Sequence, residues 1–219
     1  MDPSTRTLLI GLVLVLALWY LGASIFNRRR GLAVFHWLRN GLNRLGGEIA
    51  SSWIGSSGSG ARIQVRKADP PFRDFEIIYL LASRELLPLF LFDLLRGKRD
   101  QLILKARFRA AVHGEVEVVP AGGGLARKLR AEQERPWNIE TGPHGLLIGT
   151  RGRKPEEPRA ALAPLLEKYG PHVRQVSLSS KAPHLILILS LSGLYEKGGS
   201  AAGLFDDVAA VASTEDQDG

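Results

Sequence analysis

The sequence predicts an α+β fold carried on one membrane-spanning helix. Two observations support this class: an uncharged apolar run near the N-terminus, and alternating strand and helix patterns along most of the remaining chain. The chain has 219 residues, 45% hydrophobic and 23% charged, which fits one anchor plus one domain of ordinary size. The predicted parts are an anchor (1–30), a juxtamembrane segment with a linker (31–60), a domain (61–197) and a tail (198–219).

The apolar run extends from Leu8 to Phe26. Its 19 residues, at about 1.5 Å each, cover about 28 Å, close to the ~30 Å hydrocarbon core of a bilayer. Three arginines, Arg28–Arg30, follow at once, whereas the leading end has only Arg6, opposed by Asp2. Because short basic flanks stay cytoplasmic, we expect the N-terminus outside and the domain in the cytoplasm. A signal peptide cleaved after Ala23 and a buried helix of a soluble core are the alternatives.

The juxtamembrane segment has apolar residues at helical spacing on one side, at Leu32, Phe35, Leu38, Leu42, Leu45 and Ile49. This spacing predicts an amphipathic helix. Its apolar side packs either on the membrane surface or on its own domain. The following Gly55–Gly60, GSSGSG, predicts a flexible linker, and the domain boundary is placed there.

Within the domain, hydrophobic periodicity predicts strands at 63–65, 75–81, 102–109, 115–119, 137–140, 146–150, 173–179 and 184–192. Helices are predicted at 83–95, 125–134 and 156–169. The order is ββαββ, a short helix, then ββαββ again. It suggests either two related halves or one mixed α+β sheet with helices on one face.

The helix at 83–95 is apolar enough to suggest a second membrane segment. Its region nevertheless contains Glu76, Arg84, Glu85 and Asp93, and ionised groups at bilayer depth are costly. We therefore expect this helix to lie in the protein core.

The strands at 102–109 and 115–119 are predicted to form a hairpin. With a three-residue loop that ends at Gly114, Phe108 faces Val118 and Arg109 faces Glu117, which matches the chemistry on both faces.

The tail contains five acidic residues and no basic residue, although the whole chain has a net charge of +7. This composition predicts a disordered acidic segment. Four apolar residues within it are spaced to form a short amphipathic helix on binding: Leu204, Phe205, Val208 and Val211.

The sequence contains no recognisable catalytic, cofactor-binding or metal-binding motif. The absence of cysteine excludes disulfides, thiolate metal sites and a thiol nucleophile. The five histidines are far apart in sequence, and the glycine loop Gly122–Gly124 matches neither a Walker loop nor a dinucleotide fingerprint. We therefore assign no catalytic residue, no cofactor and no metal.

We expect the domain to bind a protein partner or the anionic membrane surface. The residues predicted to contact lipid headgroups are Arg28, Arg29, Arg30, Lys105, Arg107 and Arg109. One alternative is a small membrane-tethered enzyme that holds a phosphorylated or lipid substrate at Gly122–Gly124 with Arg127 or Lys128. The other is a membrane-tethered nucleic-acid binder, although no nucleic-acid-binding signature is present.

Overall fold

The computed structural model describes residues 2–132, 136–152, 156–195 and 199–213. Within them, a long N-terminal helix joins a nine-stranded antiparallel sheet in a mixed α+β fold. The helices are α1 (Pro3–Gly41), α2 (Leu87–Leu95), α3 (Gly124–Ala131), α4 (Glu156–Tyr169) and α5 (Ala202–Ser213). The strands are β1 (Glu48–Trp53), β2 (Gly60–Arg66), β3 (Phe72–Leu80), β4 (Gln101–Phe108), β5 (Glu115–Pro120), β6 (Asn138–Thr141), β7 (Leu146–Arg151), β8 (Val173–Leu178) and β9 (Leu185–Ser190).

Helix α1 contains the predicted anchor and the first part of the predicted juxtamembrane helix, in one continuous element that ends at Gly41. Among the described residues it is the one helix long and apolar enough to cross a membrane. Its second half buries a stripe spaced four and three residues apart, at Asn27, Gly31, Val34, Leu38 and Gly41. Such spacing places side chains on one helix face. Of the predicted apolar side, Leu38, Leu42 and Leu45 are buried in the domain core, whereas Ile49 lies in β1 and is exposed.

The strand order is β1-β2-β3-β4-β9-β8-β5-β7-β6. Alternate side chains of the strands form a large core with α1, α4 and α5 on one side of the sheet. On the opposite side, α3 packs on β5 and β7 through Val119, Leu129 and Leu147. Apart from Ser190, which is buried, the outward side chains of β2, β3, β4 and β9 stay at least partly exposed. We call this surface the open face, and it includes Gln64, Glu76, Ile78, Ile103, Lys105 and Ile188.

The predicted hairpin between β4 and β5 is wrong. Strand β4 lies between β3 and β9, so that Phe108 pairs with Phe72, while β5 lies between β8 and β7, where Glu117 is opposite Ser177 and Gly149. The predicted register was based on matching Arg109 with Glu117 across a short loop. Longer pairings with strands that are distant in sequence occupy both edges of β4 instead.

Residues 55–60 form the tight loop of the β1–β2 hairpin, whereas the sequence predicted a flexible linker. The Ile54 N–H donates to the Gly60 carbonyl at 3.0 Å, and the Ser59 N–H donates to the Ser56 carbonyl at 2.9 Å. Gly55 has a φ of +75°, which glycine adopts without strain. Glycine and serine favour tight turns as well as linkers, and β1 consequently joins the same sheet as the strands after residue 60.

The tail predicted to be disordered contains α5, which packs in the core. Leu204, Phe205, Val208 and Val211 are each at most 3% exposed, and the rings of Phe205 and Phe75 are 5.7 Å apart. The helical spacing of these apolar residues lets the segment pack as a helix, although its composition is acidic. Residues 198 and 214–219 of the predicted tail lie outside the described residues, as do residues 133 and 134 of the predicted helix 125–134. The predicted ββαββ order includes neither β1 nor α5.

Candidate membrane-proximal site

A cluster of buried polar residues joins α1 to the sheet just after the apolar run. Asp100, which precedes β4, is 2% exposed, and Asn27 of α1 is fully buried. Arg30 donates from Nε to Asp100 Oδ2 at 2.6 Å, and Arg84 donates from Nη2 to both Asp100 oxygens at 2.9 and 3.0 Å. The Ala82 N–H adds a bond of 2.9 Å to Asp100 Oδ1. We call these residues, together with Glu85, the joint.

Asn27 connects the helix to the loop that follows β3. Its Nδ2 donates to the Ala82 carbonyl and to Glu85 Oε1, both at 3.1 Å, and its Oδ1 accepts from Arg84 Nη1 at 2.8 Å. The side-chain amide therefore uses both its donor and its acceptor groups, as a buried polar group requires.

The joint holds its carboxylates in the charged form. Burial raises the pKa of the Asp100 carboxyl, but the Ala82 N–H and the charges of Arg84 and Arg30 outweigh burial, so its pKa lies below the ordinary value. The pKa of Glu85 is likewise lowered, because hydrogen bonds from the backbone, Ser83 and Asn27 outweigh the effect of burial. The ion pairs therefore persist at neutral pH.

Helix α2 lies beside the apolar half of α1. The Trp19 Nε1 donates to the Arg84 carbonyl at 2.9 Å, and the rings of Trp19 and Phe90 are 6.3 Å apart. The Arg84 guanidinium lies 5.5 Å from the Phe26 ring centre. None of the residues of α2 is buried. The expectation that this helix lies in the core is therefore wrong, because its side chains stay at least partly exposed and Phe90 contacts Trp19 of α1.

The structure separates the six residues predicted to contact lipid into two groups. Arg28 and Arg29 are exposed on α1, next to the joint, whereas Arg30 is paired with Asp100. The second group consists of the cations on β4 and just after it, and each of them has a partner within the protein. Lys105 lies 3.3 Å from Glu76, Arg107 lies 3.6 Å from Asp74, and Arg109 donates to the Phe72 and Ala68 carbonyls at 2.8 and 2.9 Å.

The joint and Arg109 lie at opposite ends of β4. Asp100 of the joint precedes the first residue of this strand, and Arg109 follows the last one. Eight residues at about 3.4 Å each separate the ends by about 27 Å. At the Arg109 end, the Asp69 N–H donates to the Leu45 carbonyl at 2.8 Å, beyond the C-terminal end of α1. The end of the domain nearest the apolar half of α1 is thus the one that contains the joint.

The open face combines an apolar row with paired charges. Ile78, Ile103 and Ile188 lie directly opposite one another on three neighbouring strands. In the next row Glu76 accepts from Arg62 and from Gln64 and pairs with Lys105. These bonds outweigh the effect of burial and lower the pKa of Glu76. A shallow cleft of about 540 Å³, bordered by Arg66, Asp74 and Arg107, adjoins this row.

The glycine loop Gly122–Gly124 is exposed and precedes α3, and Gly123 has a φ of +104°. In the part of the chain that the structure describes, no group of three or more His, Asp or Glu side chains could hold a metal ion. The sequence analysis missed the joint. Asn27 is part of the helical stripe of α1, but no local pattern connects Arg30 with Asp100, 70 positions later.

Fold and site together define an α+β domain fixed to one long apolar helix. Comparison of the chain with known protein families and with curated proteins finds no match.

Proposed function

We propose that the chain is a single-pass membrane protein that presents the open face of its domain to a protein partner on the cytoplasmic side. The observation that carries this proposal is the continuity of α1, which passes from an exposed apolar half into the domain core without a break. A domain fixed in this way keeps one position relative to the helix that we propose to cross the membrane.

The apolar half of α1 supports the anchoring. Its most apolar 18-residue window has a mean hydropathy of 2.4, and none of that window is buried in the protein. A helix that is apolar all round and is nevertheless not buried in the protein is typical of a membrane span. The joint begins at Asn27, immediately after Phe26, where the span is expected to leave the hydrocarbon.

Basic residues beside the joint support the orientation. Arg28 and Arg29 are exposed there. The exposed Arg96, Lys98 and Arg99, in the loop between α2 and Asp100, add to this positive charge. Because positive charge near a span favours the cytoplasmic side, the domain is expected in the cytoplasm, with Arg28 and Arg29 on anionic headgroups.

The chemistry of the open face favours a protein partner over anionic lipid or nucleic acid. The strand cations Lys105 and Arg107 are paired with acidic residues, so they offer little free positive charge to phosphates. The row of Ile78, Ile103 and Ile188 supplies an apolar centre with a polar rim, which is the usual composition of a protein interface.

Photo-crosslinking in intact cells tests this proposal. A photoreactive amino acid is placed at Ile103 in the full chain, and the matched control has it at Ala160, an exposed position on α4. We expect a protein adduct from position 103 and none from position 160. The adduct should disappear when Ile188→Arg is added, because an arginine there disrupts the apolar row, and unchanged protease resistance will show that this variant folds.

Two results would contradict the partner assignment. Adducts of equal yield from positions 103 and 160 would indicate non-specific contact. Adducts from position 103 to phospholipid alone would indicate that the open face contacts the membrane surface.

A further inference from the structure

The domain exposes its large apolar side chains mainly in two short segments. Outside α1, the large hydrophobic residues exposed in the described part of the chain are Ile49, Trp53, Ile54, Leu80, Leu86, Leu89, Leu91, Phe92, Leu94, Leu95 and Leu125. Most of them belong to α2 and the residues just before it. Leu95 is the most exposed of them, at 87%. Contiguous exposed apolar surface of this kind marks an interaction site.

The position of α2 along α1 indicates whether lipid or water surrounds α2. Trp19, which contacts Phe90 and the Arg84 carbonyl, precedes Asn27 by eight residues, or about 12 Å along the helix. Trp19 belongs to the apolar run that we propose to cross the membrane. A helix packed against Trp19 therefore lies at a depth where the surroundings are lipid and not water.

The length and flanking charges of α2 fit a helix that enters the bilayer without crossing it. Its nine residues cover about 13 Å, far less than the ~30 Å hydrocarbon core. At its C-terminal end Arg96, Lys98 and Arg99 are exposed, where they can contact anionic headgroups. The one acidic residue inside α2, Asp93, is paired with Lys98 at 2.7 Å.

The joint satisfies the charged groups that precede α2. Arg84 is held by Asp100 and Asn27, and Glu85 accepts from Asn27 and Ser83. The charges that the sequence analysis took as evidence against a membrane location thus have partners within the protein.

We propose that α2 is seated in the cytoplasmic leaflet beside α1 and forms a second, non-spanning membrane contact whose occupant is lipid. This inference rests on the proposed anchoring by α1. Two contacts with the bilayer fix the rotation of the domain about α1 as well as its distance from the membrane, and both determine where the open face points.

Single-cysteine labelling of the full chain in lipid vesicles tests the inference, because the chain has no cysteine of its own. An environment-sensitive fluorophore is attached at Leu91→Cys on α2. A second sample is labelled at Val13→Cys in the apolar half of α1, and the matched control is labelled at Leu125→Cys, an exposed apolar position on α3. Each sample is exposed to nitroxide-bearing lipids and, separately, to a water-soluble quencher.

We expect the labels at 91 and 13 to lose most of their fluorescence to the nitroxide lipids and little to the aqueous quencher, with the reverse at 125. If position 13 is quenched by lipid and position 91 by the aqueous quencher, the inference fails while the anchoring stands. If neither 13 nor 91 is quenched by lipid, the anchoring fails as well. If 91 is protected from both quenchers, protein covers α2 and the lipid assignment is overturned.

Discussion

Arg84 donates from a single nitrogen to both carboxylate oxygens of Asp100, at 2.9 and 3.0 Å, and Asp100 is 2% exposed. Arg30 of α1 bonds to the same carboxylate at 2.6 Å. One buried acid thus links the helix, the loop before α2 and the start of β4. The loss of this acid should weaken the attachment of the domain to its anchor.

Asp100→Asn is expected to lower the free energy of unfolding by about 3 kcal/mol at neutral pH, because it leaves two arginines without their charge partner. The measurement is denaturant unfolding of the full chain in detergent micelles, followed by circular dichroism. Glu48→Gln is the matched control. It removes an exposed pair with Lys67 and should cost less than about 1 kcal/mol.

The effect of Asp100→Asn should also depend on pH. The folded-state pKa of Asp100 is lowered, so its stabilising contribution is present above the unfolded-state pKa, near 4. It is lost as the pH falls through the folded-state pKa. The difference between wild type and variant should therefore shrink as the pH falls below about 4. A difference that is independent of pH would mean that the carboxylate charge does not stabilise the joint.

Gly31→Ala should destabilise the contact between α1 and the β1–β2 loop. A Cβ at position 31 would lie 1.8 Å from the Ser57 carbonyl oxygen, so the backbone must move, at a cost of about 1–3 kcal/mol. Gly22→Ala is the control on the same helix, since a Cβ there meets nothing within 4 Å. Thermal unfolding should show a lower midpoint for the first variant only. Equal midpoints would argue that α1 does not pack on this loop.

Phe205→Ala tests whether α5 belongs to the core. The Phe205 side chain is 1% exposed, and its removal should cost about 3–5 kcal/mol through lost burial and a cavity. Asp206→Ala, on the same helix but 54% exposed, should cost less than about 0.5 kcal/mol. If both variants unfold like the wild type, the C-terminal segment is a dispensable tail after all.

Glu117→Gln should stabilise the domain at neutral pH. Burial raises the pKa of Glu117 despite hydrogen bonds from Gln175 and Ser177. The folded state therefore favours the protonated form, and stability is lost as the pH rises through the raised pKa. Glutamine keeps an acceptor for Gln175, which donates to Glu117 Oε1 at 2.6 Å, and it carries no charge.

The gain from Glu117→Gln should vanish at pH values below about 4, where the glutamate is protonated in both states. Denaturant unfolding at a series of pH values measures it. A variant that is less stable than wild type at neutral pH would show that the charged form of Glu117 is favoured in the fold.

Local periodicity predicted which segments form helices and strands better than it predicted which strands lie next to one another. The helix predicted at 156–169 coincides with α4, and the strand predicted at 102–109 overlaps β4 almost completely. Periodicity reports which face of an element is apolar, so it contains no information about which strand lies next to β4. That choice depends on pairings such as Ile103 with Ile188, which are far apart in sequence.

The candidate site was less predictable than the fold. Arg28 and Arg29 follow an apolar run, which is a local signal, and their contact with lipid headgroups stays a prediction. The pairing of Arg30 with Asp100 and the position of α2 beside Trp19 depend on the tertiary arrangement. Composition gave the wrong answer at residues 55–60 and at α5, because glycine-serine and acidic segments fold when neighbouring contacts support them.

The proposed function requires that one unbroken helix connects the membrane span to the domain core. Its most direct test is the distance between spin labels at Leu14→Cys and Arg39→Cys, both exposed on α1, measured by pulsed electron paramagnetic resonance in lipid vesicles. Twenty-five residues apart in sequence, the two sites should give one narrow distance near 38 Å, at about 1.5 Å per residue. A broad distribution, or a mean distance well below this value, would contradict the account, because it would mean that α1 bends or unfolds between the membrane and the domain.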